Sequence, residues 1–388
     1  MHSVLRSLFY SCLIASLALS AVGCASGSLR PDLQKVSDGA HTRPEKIPPY
    51  HARFARAQPV VAVVGDNRGT ELTDYVIPFG VLAQSGVAQV IALSTQSGPL
   101  STFTDMGKPS FKIASEATVA EFDARFPDGA DYVVVPATRD SPEVINWIAS
   151  QIKKGATIVS ICNGAMVVAM TGLMDGHRAT AHWSTEDHRR AMHPTIHWVK
   201  NARYVADRNW ISGAGVSAAM PTSIALVEAI GGHDRAAALA KELAAGDWNA
   251  PHSSDAFHPA FGVNLTAFAE TMYLNQWFHS TDRLGIAIAP GVNEISLALT
   301  VDAYSSTGRS QAFTVAASKA PMRSLHGLTI IPDFAARDVP RPMRSLPVLD
   351  AVLPGQALDR ALGGIARSYG ATNAYGVALL MEYPWVRQ

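Results

Sequence analysis

Short apolar runs alternate with amphipathic stretches along much of this 388-residue chain. Pro59–Gly65 and Asp131–Val135 are largely apolar runs of the kind that is buried on both faces of a parallel sheet. Between them the pattern predicts a helix over 74–85, a strand over 89–94 and a hairpin over 100–114. Strands that alternate with helices predict an α/β fold with a doubly wound, mostly parallel sheet. Such a sheet carries its functional site at the carboxyl ends of its strands.

The most informative pattern is a strand that ends at a cysteine and passes at once into a helix. Thr157–Ile161 is apolar and β-branched, Cys162 follows, and small residues from Asn163 onward begin a helix. A sharp strand-to-helix turn exposes the side chain at its corner, near the positive end of the helix dipole. The pattern therefore predicts that Cys162 is a nucleophile with a lowered pKa. The alternative is a buried structural cysteine, because free cysteine is among the most buried residue types.

A thiol nucleophile needs a proton acceptor and donors for a developing oxyanion. Glu71 and Asp74 follow the first strand, whose end lies at the same sheet edge as the elbow, so either carboxyl group could reach the thiol. The alternative is that one of them caps the helix, since acidic residues favour the first turn. His182 ends a short strand-like run, where either a general base or a structural histidine would lie. No metal-ligand spacing is evident, and neither a metal nor a cofactor is expected.

Composition leaves room for two domains and argues against nucleic acid as a partner. The chain is 48% hydrophobic, which permits sizeable cores. Its 32 basic and 32 acidic residues cancel, and neither sign gathers into a long run. A nucleic-acid-binding protein would normally carry a basic patch or stripe. A small molecule is therefore the expected ligand.

The N-terminal segment has the pattern of an export signal. Residues 1–23 contain a basic start, the apolar run Leu8–Leu19 and small residues after it, which predicts a secretion signal too short to span a bilayer permanently. Ala21–Cys24 resembles a bacterial lipobox, which predicts lipidation of Cys24, with ordinary cleavage nearby as the alternative. Residues 24–58 are polar and proline-rich and are expected to form a flexible tether. The expected location is the bacterial cell envelope, with the protein facing the periplasm and contacting the membrane only through the lipid.

Export also bears on the elbow cysteine. The chain has three cysteines, Cys12, Cys24 and Cys162. The first lies in the predicted signal and the second is the predicted lipid acceptor. Cys162 is then the only thiol left in a compartment where disulfides normally form. An unpaired cysteine in a secreted protein is a candidate reactive thiol.

Six segments follow the order and spacing of a known family. They are Glu71–Pro78, Val133–Pro136, Ser160–Ala165, Gly172–Gly176, Ala179–Trp183 and Ser212–Val216. Through them, residues 59–245 resemble the ThiJ/PfpI family of the class I glutamine amidotransferase-like superfamily. The branch with isonitrile hydratase and the GlxA-type regulators is the most similar. The resemblance implies a flavodoxin-like fold and a homodimer, with Cys162 as nucleophile, Asp74 as its acidic partner and His182 at the border of the pocket.

The chain departs from the family pattern beside the expected oxyanion site. The family usually has Gly-Gly after the proline of the fourth strand, whereas Ala137 and Thr138 stand here. If that backbone needs a positive φ, alanine resists it. The backbone N–H groups of Ala137 and Asn163 are nevertheless the expected oxyanion donors.

After a connecting segment, residues 246–282, the element pattern begins again. Leu284–Gly291 predicts a buried strand and 295–304 a helix, and Leu349–Gly355 matches the first module's strand at Asp131. The period is far longer than that of solenoid repeats, so it predicts a duplicated domain. This second module, residues 283–388, lacks a cysteine elbow and replaces the DNA-binding domain of the GlxA-type regulators. It is expected to be a partial, non-catalytic copy that serves as a lid or partner surface.

These observations favour a Cys-dependent hydrolase or lyase that acts on a small carbonyl, amide or nitrile-like compound. Cys162 would attack, Asp74 would hold or shuttle the proton, and the N–H groups of Asn163 and Ala137 would stabilise the anion. The alternative is a non-enzymatic metabolite or redox sensor, because an exposed thiol of low pKa oxidises easily. A purely structural envelope lipoprotein is a third interpretation.

Overall fold

Seven strands form the central sheet, and its inner strands are the apolar runs of the sequence. A computed structural model describes residues 45–139, 141–349 and 352–385. The strands before residue 280 are β1 Val60–Gly65, β2 Thr70–Glu71, β3 Gln89–Ser94, β4 Leu100–Phe103, β5 Pro109–Ala114, β6 Ala117–Thr118, β7 Tyr132–Val135, β8 Thr157–Ser160, β9 Arg178–Ala179, β10 His197–Trp198, β11 Tyr204–Asp207 and β12 Trp210–Gly213. The sheet order is β11-β12-β8-β7-β1-β3-β6, and only β11 pairs antiparallel to its neighbour. This confirms the doubly wound, mostly parallel sheet.

Helices cover both faces of the sheet. The helices before residue 280 are α1 Leu72–Ser85, α2 Val119–Arg125, α3 Pro142–Lys153, α4 Gly164–Ala169, α5 Glu186–Met192, α6 Ala219–Gly231, α7 His233–Leu243, α8 Leu265–Ala269 and α9 Asn275–Phe278. Alternate residues of β1 enter two separate cores, because successive side chains of a strand point to opposite faces. Val61 and Val63 pack with α1, α6 and α7, whereas Val60 and Val64 pack with α3 and α4.

The last part of the predicted tether is packed against the domain. Ile47 is buried, the Tyr50 hydroxyl donates to Asp131 at 3.3 Å, and Arg56 forms an ion pair with Asp131 at 2.9 Å. These contacts fix residues 45–58, which composition alone suggested to be flexible. The predicted secretion signal, Cys24 and the first part of the tether lie outside the described residues. Within the described part of the chain, the helices are too short or too polar for one to cross a membrane.

The C-terminal half builds a second, smaller sheet with the same strand order as one side of the first. Its elements are β13 Asp282–Ala287, β14 Ser310–Ala316, β15 Met322–Arg323, β16 Thr329–Ile331, β17 Phe334–Ala335, β18 Arg344–Ser345, α10 Glu294–Ser305, α11 Ala357–Tyr369 and α12 Ala371–Leu380. Four parallel strands lie in the order β17-β14-β13-β18, which corresponds to β6-β3-β1-β7. This is the predicted extra α/β region, and its origin by duplication stays a prediction.

One strand of this region is not where the sequence pattern put it. Leu349–Gly355 matches β7 in sequence, but the strand that pairs beside β13 is Arg344–Ser345. Pro354–Gln356 is instead a single helical turn that leads into α11. A short apolar run does not distinguish a strand from the start of a helix.

The two halves join through a helix pair and a shared sheet. Helix α10 packs against α1. Strand β16 pairs antiparallel with β5, with Ile330 opposite Ile113, and so extends the hairpin of the first half. The two helices also begin alike, because Glu71 accepts a hydrogen bond from the Asp74 N–H and Asn293 accepts one from the Ser296 N–H. Asp74 and Ser296 thus occupy the same position relative to the caps of their helices.

We predict that Gly80→Ala destabilises the junction of the two halves. A Cβ at Gly80 would lie 2.7 Å from a buried carbon of Ile295, closer than real contacts allow. Overpacking of this kind costs about 1–3 kcal/mol, which exceeds the gain of alanine in helix propensity. Gly363→Ala is the matched control, because its Cβ meets nothing closer than 3.6 Å. Urea unfolding measures both, and equal stability of the two variants would contradict the close packing of α1 on α10.

Candidate active site

Cys162 stands at the corner of the predicted strand–turn–helix elbow. It follows β8 and precedes α4, and its φ is +55°, a left-handed conformation that non-glycine residues rarely adopt. The Cys162 N–H donates to the Gly213 carbonyl at 3.1 Å, which fixes the turn to β12. A Cβ at Gly164 would lie 2.1 Å from the Val135 carbonyl oxygen, so α4 can begin here only with glycine. Strained backbone of this kind clusters at functional sites.

The thiol is buried, and the prediction of a lowered pKa is wrong. Cys162 is 2% exposed. Burial raises the pKa of the thiol well above its ordinary value, and the nearby carboxyl groups of Asp74, Asp105 and Glu71 raise it further. The Asn163 N–H, one of the expected oxyanion donors, opposes this increase only in part. The helix dipole argument failed because α4 has six residues and the site excludes water.

Two carboxyl groups lie beside the thiol at the start of α1. Glu71 caps the helix by accepting from the Asp74 N–H at 2.6 Å, and Asp74 accepts from the Ala137 N–H at 3.1 Å. Both side chains are buried. Glu71 Oε1 and Asp74 Oδ1 receive no hydrogen bond from N–H or O–H donors of the described residues. A proton carried by one of the carboxyl groups would satisfy these two oxygens.

The protonation of this carboxyl pair follows from its surroundings. Burial raises the pKa of Asp74 to about 8, although the Ala137 N–H and the Glu71 carboxyl group hold it down. Burial and the neighbouring charge of Asp74 raise the pKa of Glu71 well above its ordinary value. The surroundings therefore favour the protonated form of Glu71, and Asp74 titrates at about pH 8. The structure places both predicted acidic candidates at the thiol, with Glu71 also serving as the helix cap.

One of the two expected oxyanion donors already has a hydrogen-bond acceptor. The Ala137 N–H is already bonded to Asp74, and the Ala137 carbonyl accepts from the Glu71 N–H at 2.7 Å. Ala137 is not among the residues with positive φ, so alanine is not strained there. The Asn163 side chain accepts from the Thr185 hydroxyl at 2.8 Å. Of the two predicted donors, the Asn163 N–H is the one that acts to lower the pKa of the cysteine thiol.

His182 has the contacts of a structural histidine. Its Nε2 donates to the Leu380 carbonyl at 2.8 Å, and its Nδ1 lies 2.7 Å from the Ser184 hydroxyl. The side chain is buried, and burial lowers its pKa. With both ring nitrogens engaged, His182 has no free nitrogen for proton transfer to Cys162. It instead joins the elbow domain to the end of α12.

Sequence reasoning missed Glu382, which fastens the C-terminal half to the site. Its carboxylate accepts from the N–H groups of Trp183 at 2.9 Å and Gly215 at 3.1 Å, and from His252 Nε2 at 3.1 Å. Although burial acts to raise it, the hydrogen bond from His252 and the nearby His182 keep the pKa of Glu382 below its ordinary value. Glu382 also has a positive φ of 53°. No local sequence pattern marks this residue.

A fourth buried acid, Asp302, reaches the site from α10. Its Oδ1 accepts from the Asp105 N–H at 3.0 Å and from the Ser306 hydroxyl at 3.1 Å. Burial raises the pKa of Asp302 to about 6. Burial and the charge of Asp302 raise the pKa of Asp105 well above its ordinary value. Neither residue carries a sequence signal, because their positions depend on how α10 packs.

One group of ligand-type side chains lies apart from the cysteine. Glu186, Asp255 and His258 bring their ligand atoms within 4.8 Å of one another. Lys200 and Arg190 already contact Glu186, at 2.8 and 3.0 Å. Their charges neutralise the carboxylate and would repel a cation, so we assign no metal to this group.

A large cavity is also separate from the cysteine. Its volume is about 1030 Å³, and it lies between the segment that begins at Glu45 and the loop over 247–251. Tyr204, Glu228 and Trp248 contribute to its wall. Cys162 does not line it, so the elbow and this cavity are distinct features.

An α/β sheet with a cysteine elbow and buried carboxyl groups defines the class of this protein. The DJ-1/PfpI family matches residues 60–229, and these residues form a DJ-1/PfpI family domain. Isonitrile hydratase of Pseudomonas putida is 27% identical over 167 residues, which are 43% of this chain and 70% of that protein. The HTH-type transcriptional regulator CdhR of Pseudomonas aeruginosa is 27% identical over 111 residues, 29% of this chain and 33% of the regulator.

Solved structures include similar chains. DJ-1beta of Drosophila melanogaster is 21% identical and matches with a TM-score of 0.42, over 49% of this chain and 99% of its own. The family match confirms the predicted resemblance and the flavodoxin-like, glutamine amidotransferase-like fold. The family match ends at residue 229, before the C-terminal half begins.

We predict that the free energy of unfolding falls as pH rises from about 4 to about 8. In this window the folded state binds more protons than the unfolded state, because burial raises the pKa of Asp74 to about 8 and of Asp302 to about 6. Each such group contributes a slope of up to about 1.4 kcal/mol per pH unit. Urea unfolding at several pH values measures the slope, and Asp74→Asn should flatten it. A stability independent of pH over this window would contradict the neutral buried carboxyl groups.

Proposed function

We propose that this protein is a cysteine-dependent hydrolase or lyase that acts on a small, uncharged carbonyl, amide or nitrile-like compound. The observation that carries the proposal is a strained cysteine beside a carboxyl pair that holds a proton at neutral pH. The positive φ of Cys162 and the buried oxygens of Glu71 and Asp74 both cost free energy that packing alone does not require. Such costs are typical of a reactive site.

The Glu71–Asp74 carboxyl pair supplies the proton acceptor and proton donor that a neutral thiol needs. When the Cys162 sulfur forms a bond to an electrophilic carbon, the thiol proton passes to the Asp74 carboxylate. The same carboxyl group then returns the proton to the substrate atom that gains the electron pair, and water releases the product from the sulfur. A pKa of about 8 lets Asp74 act in both directions near neutral pH. Glu71, whose pKa burial raises, orients Asp74 by accepting from its backbone N–H at 2.6 Å.

Charge and burial define the substrate class. The thiol is enclosed beside the buried carboxyl groups of Glu71, Asp74 and Asp105, so a charged substrate would lose its hydration there without a compensating charge. A small neutral compound avoids this penalty. The similarity to isonitrile hydratase makes compounds with a carbon–nitrogen multiple bond the first candidates.

The redox-sensor alternative is less well supported by the geometry. Oxidation of a cysteine proceeds through the thiolate and needs access to the oxidant. Burial and neighbouring carboxyl groups raise the pKa of the Cys162 thiol, which lowers the thiolate fraction. A metabolite-binding module without turnover remains the competing outcome of the experiment.

A panel of small isonitriles, nitriles, amides and aldehydes tests the proposal. We predict turnover of at least one class, lowered about 10³-fold or more by Cys162→Ser and about 10²–10⁴-fold by Asp74→Asn. Asp175→Asn is the matched control, since Asp175 is exposed and outside the site. Binding of a panel member without turnover by the wild-type protein would instead establish a binding module.

The proposed location is the bacterial cell envelope, with a lipid on Cys24. Support comes from the apolar Leu8–Leu19 run and the small residues before Cys24. We predict that the wild-type chain takes up labelled palmitate and sediments with membranes in a bacterial host. Cys24→Ser should lose both properties, and Cys12→Ser should keep them. Equal labelling of wild type and Cys24→Ser would contradict the lipid anchor.

A further inference from the structure

We propose that Asp302, in the C-terminal half, is a positioning residue for the Glu71–Asp74 carboxyl pair and sets the pH range in which Cys162 works. The inference deepens the proposed function, since it takes the carboxyl pair as the proton-handling part of that site. It assigns the C-terminal half a share in the chemistry, where sequence reasoning expected a lid or a partner surface.

The contacts of Asp302 lead directly to Glu71. The Thr73 hydroxyl donates to Glu71 Oε2 at 2.9 Å and lies 3.5 Å from Asp302 Oδ2. Glu71 Oε2 also accepts from the Asp74 N–H at 2.6 Å, and the Glu71 carboxyl group lowers the pKa of both Asp302 and Asp74. Thr73 and Glu71 thus connect an acid of α10 to the start of α1. We expect a change of charge at Asp302 to alter the titration of Asp74.

The negative charge of Asp302 raises the pKa of both Glu71 and Asp74. With a pKa of about 6, Asp302 is mostly ionised at neutral pH, whereas Asp74 titrates at about 8. Its negative charge raises the pKa of Glu71, Asp74 and Asp105 beyond the effect of burial. Asp302 therefore keeps protons on the carboxyl groups nearest the thiol.

Other charged groups around the site leave this role to Asp302. From the loop after β4, Asp105 acts on Glu71, and burial raises the pKa of Asp105 itself. Glu382, after α12, acts on Asp105. Arg189 of α5 acts on Cys162, and burial lowers its own pKa to about 10. Asp302 is the neighbouring acid that has a pKa of about 6 and contacts Thr73, whose hydroxyl donates to Glu71.

The two halves differ at the helix position that Asp302 occupies in α10. Asp302 lies nine residues after the cap Asn293, and the residue nine after the cap Glu71 is Gly80. Gly80 packs against Ile295 and Glu294, with no room for a side chain. The carboxylate is thus supplied only by α10. An isolated domain ending near residue 245 would lack it.

The titration of Asp74 seen from Cys162 tests the proposal without any substrate. We measure the ¹³C NMR shift of the Cys162 Cβ in the full-length chain labelled in cysteine, as a function of pH, and assign it with Cys162→Ser. The wild-type signal should show a midpoint near pH 8, the value for Asp74. In Asp302→Asn this midpoint should move by about one pH unit toward acid, because a like charge is lost.

Asp333→Asn is the matched control for removal of a buried acid from the C-terminal half. Asp333 accepts from the Thr314 N–H and hydroxyl at 2.8 Å, and burial raises its pKa, but it does not act on the cysteine site. Its replacement should leave the midpoint of Asp74 unchanged. A shift as large as that of Asp302→Asn would overturn the proposal.

A second variant covers the case in which Asp302→Asn does not fold. Ser306→Ala removes a hydrogen bond that lowers the pKa of Asp302, so Asp302 ionises later and the midpoint of Asp74 should move in the same direction by less. An unchanged midpoint in the folded variants would overturn the proposal even if turnover is found. A shifted midpoint in a protein without turnover would support it and reject only the enzymatic function.

Discussion

The buried hydrogen bond between Glu71 and Asp74 is the constraint on which the rest of the site depends. It starts helix α1 and places two carboxyl groups where water does not reach them. Two ionised carboxylates at such a place would be very costly, so the pair holds protons instead. The Cys162 thiol, next to them, is then neutral at physiological pH. In the proposed mechanism the neutral thiol passes its proton to Asp74 as the sulfur attacks, so no preformed thiolate is needed.

Local patterns were sufficient to predict much of this arrangement. Apolar runs identified the parallel strands, and a strand that ends at Cys162 identified the elbow. The position of Glu71 and Asp74 after β1 was sufficient to predict that they lie near the elbow, because parallel strands end at one edge of the sheet. The predicted pKa of the thiol was wrong because burial depends on distant parts of the chain. Asp302 contacts Thr73 from 229 positions away, and no local pattern carries that information.

The C-terminal half repeats part of the strand order of the first half and is packed against it. It extends the hairpin sheet through β16 and packs α10 on α1. Twelve of the fourteen residues of α1 are buried, so this helix has no free face for a second copy of the chain. The homodimer implied by the family resemblance stays a prediction, and it would have to use another surface. Glu382 and Asp302 tie the same half to the cysteine site.

Infrared spectroscopy of the wild-type protein can test whether the buried carboxyl pair holds protons, because a protonated carboxyl group absorbs apart from a carboxylate. We expect a buried carboxylic-acid band at neutral pH that weakens as pH passes about 8, where Asp74 titrates. The band should lose intensity in Asp74→Asn at neutral pH. A spectrum with carboxylates alone at neutral pH would contradict the account, since Cys162 would then face ionised acids.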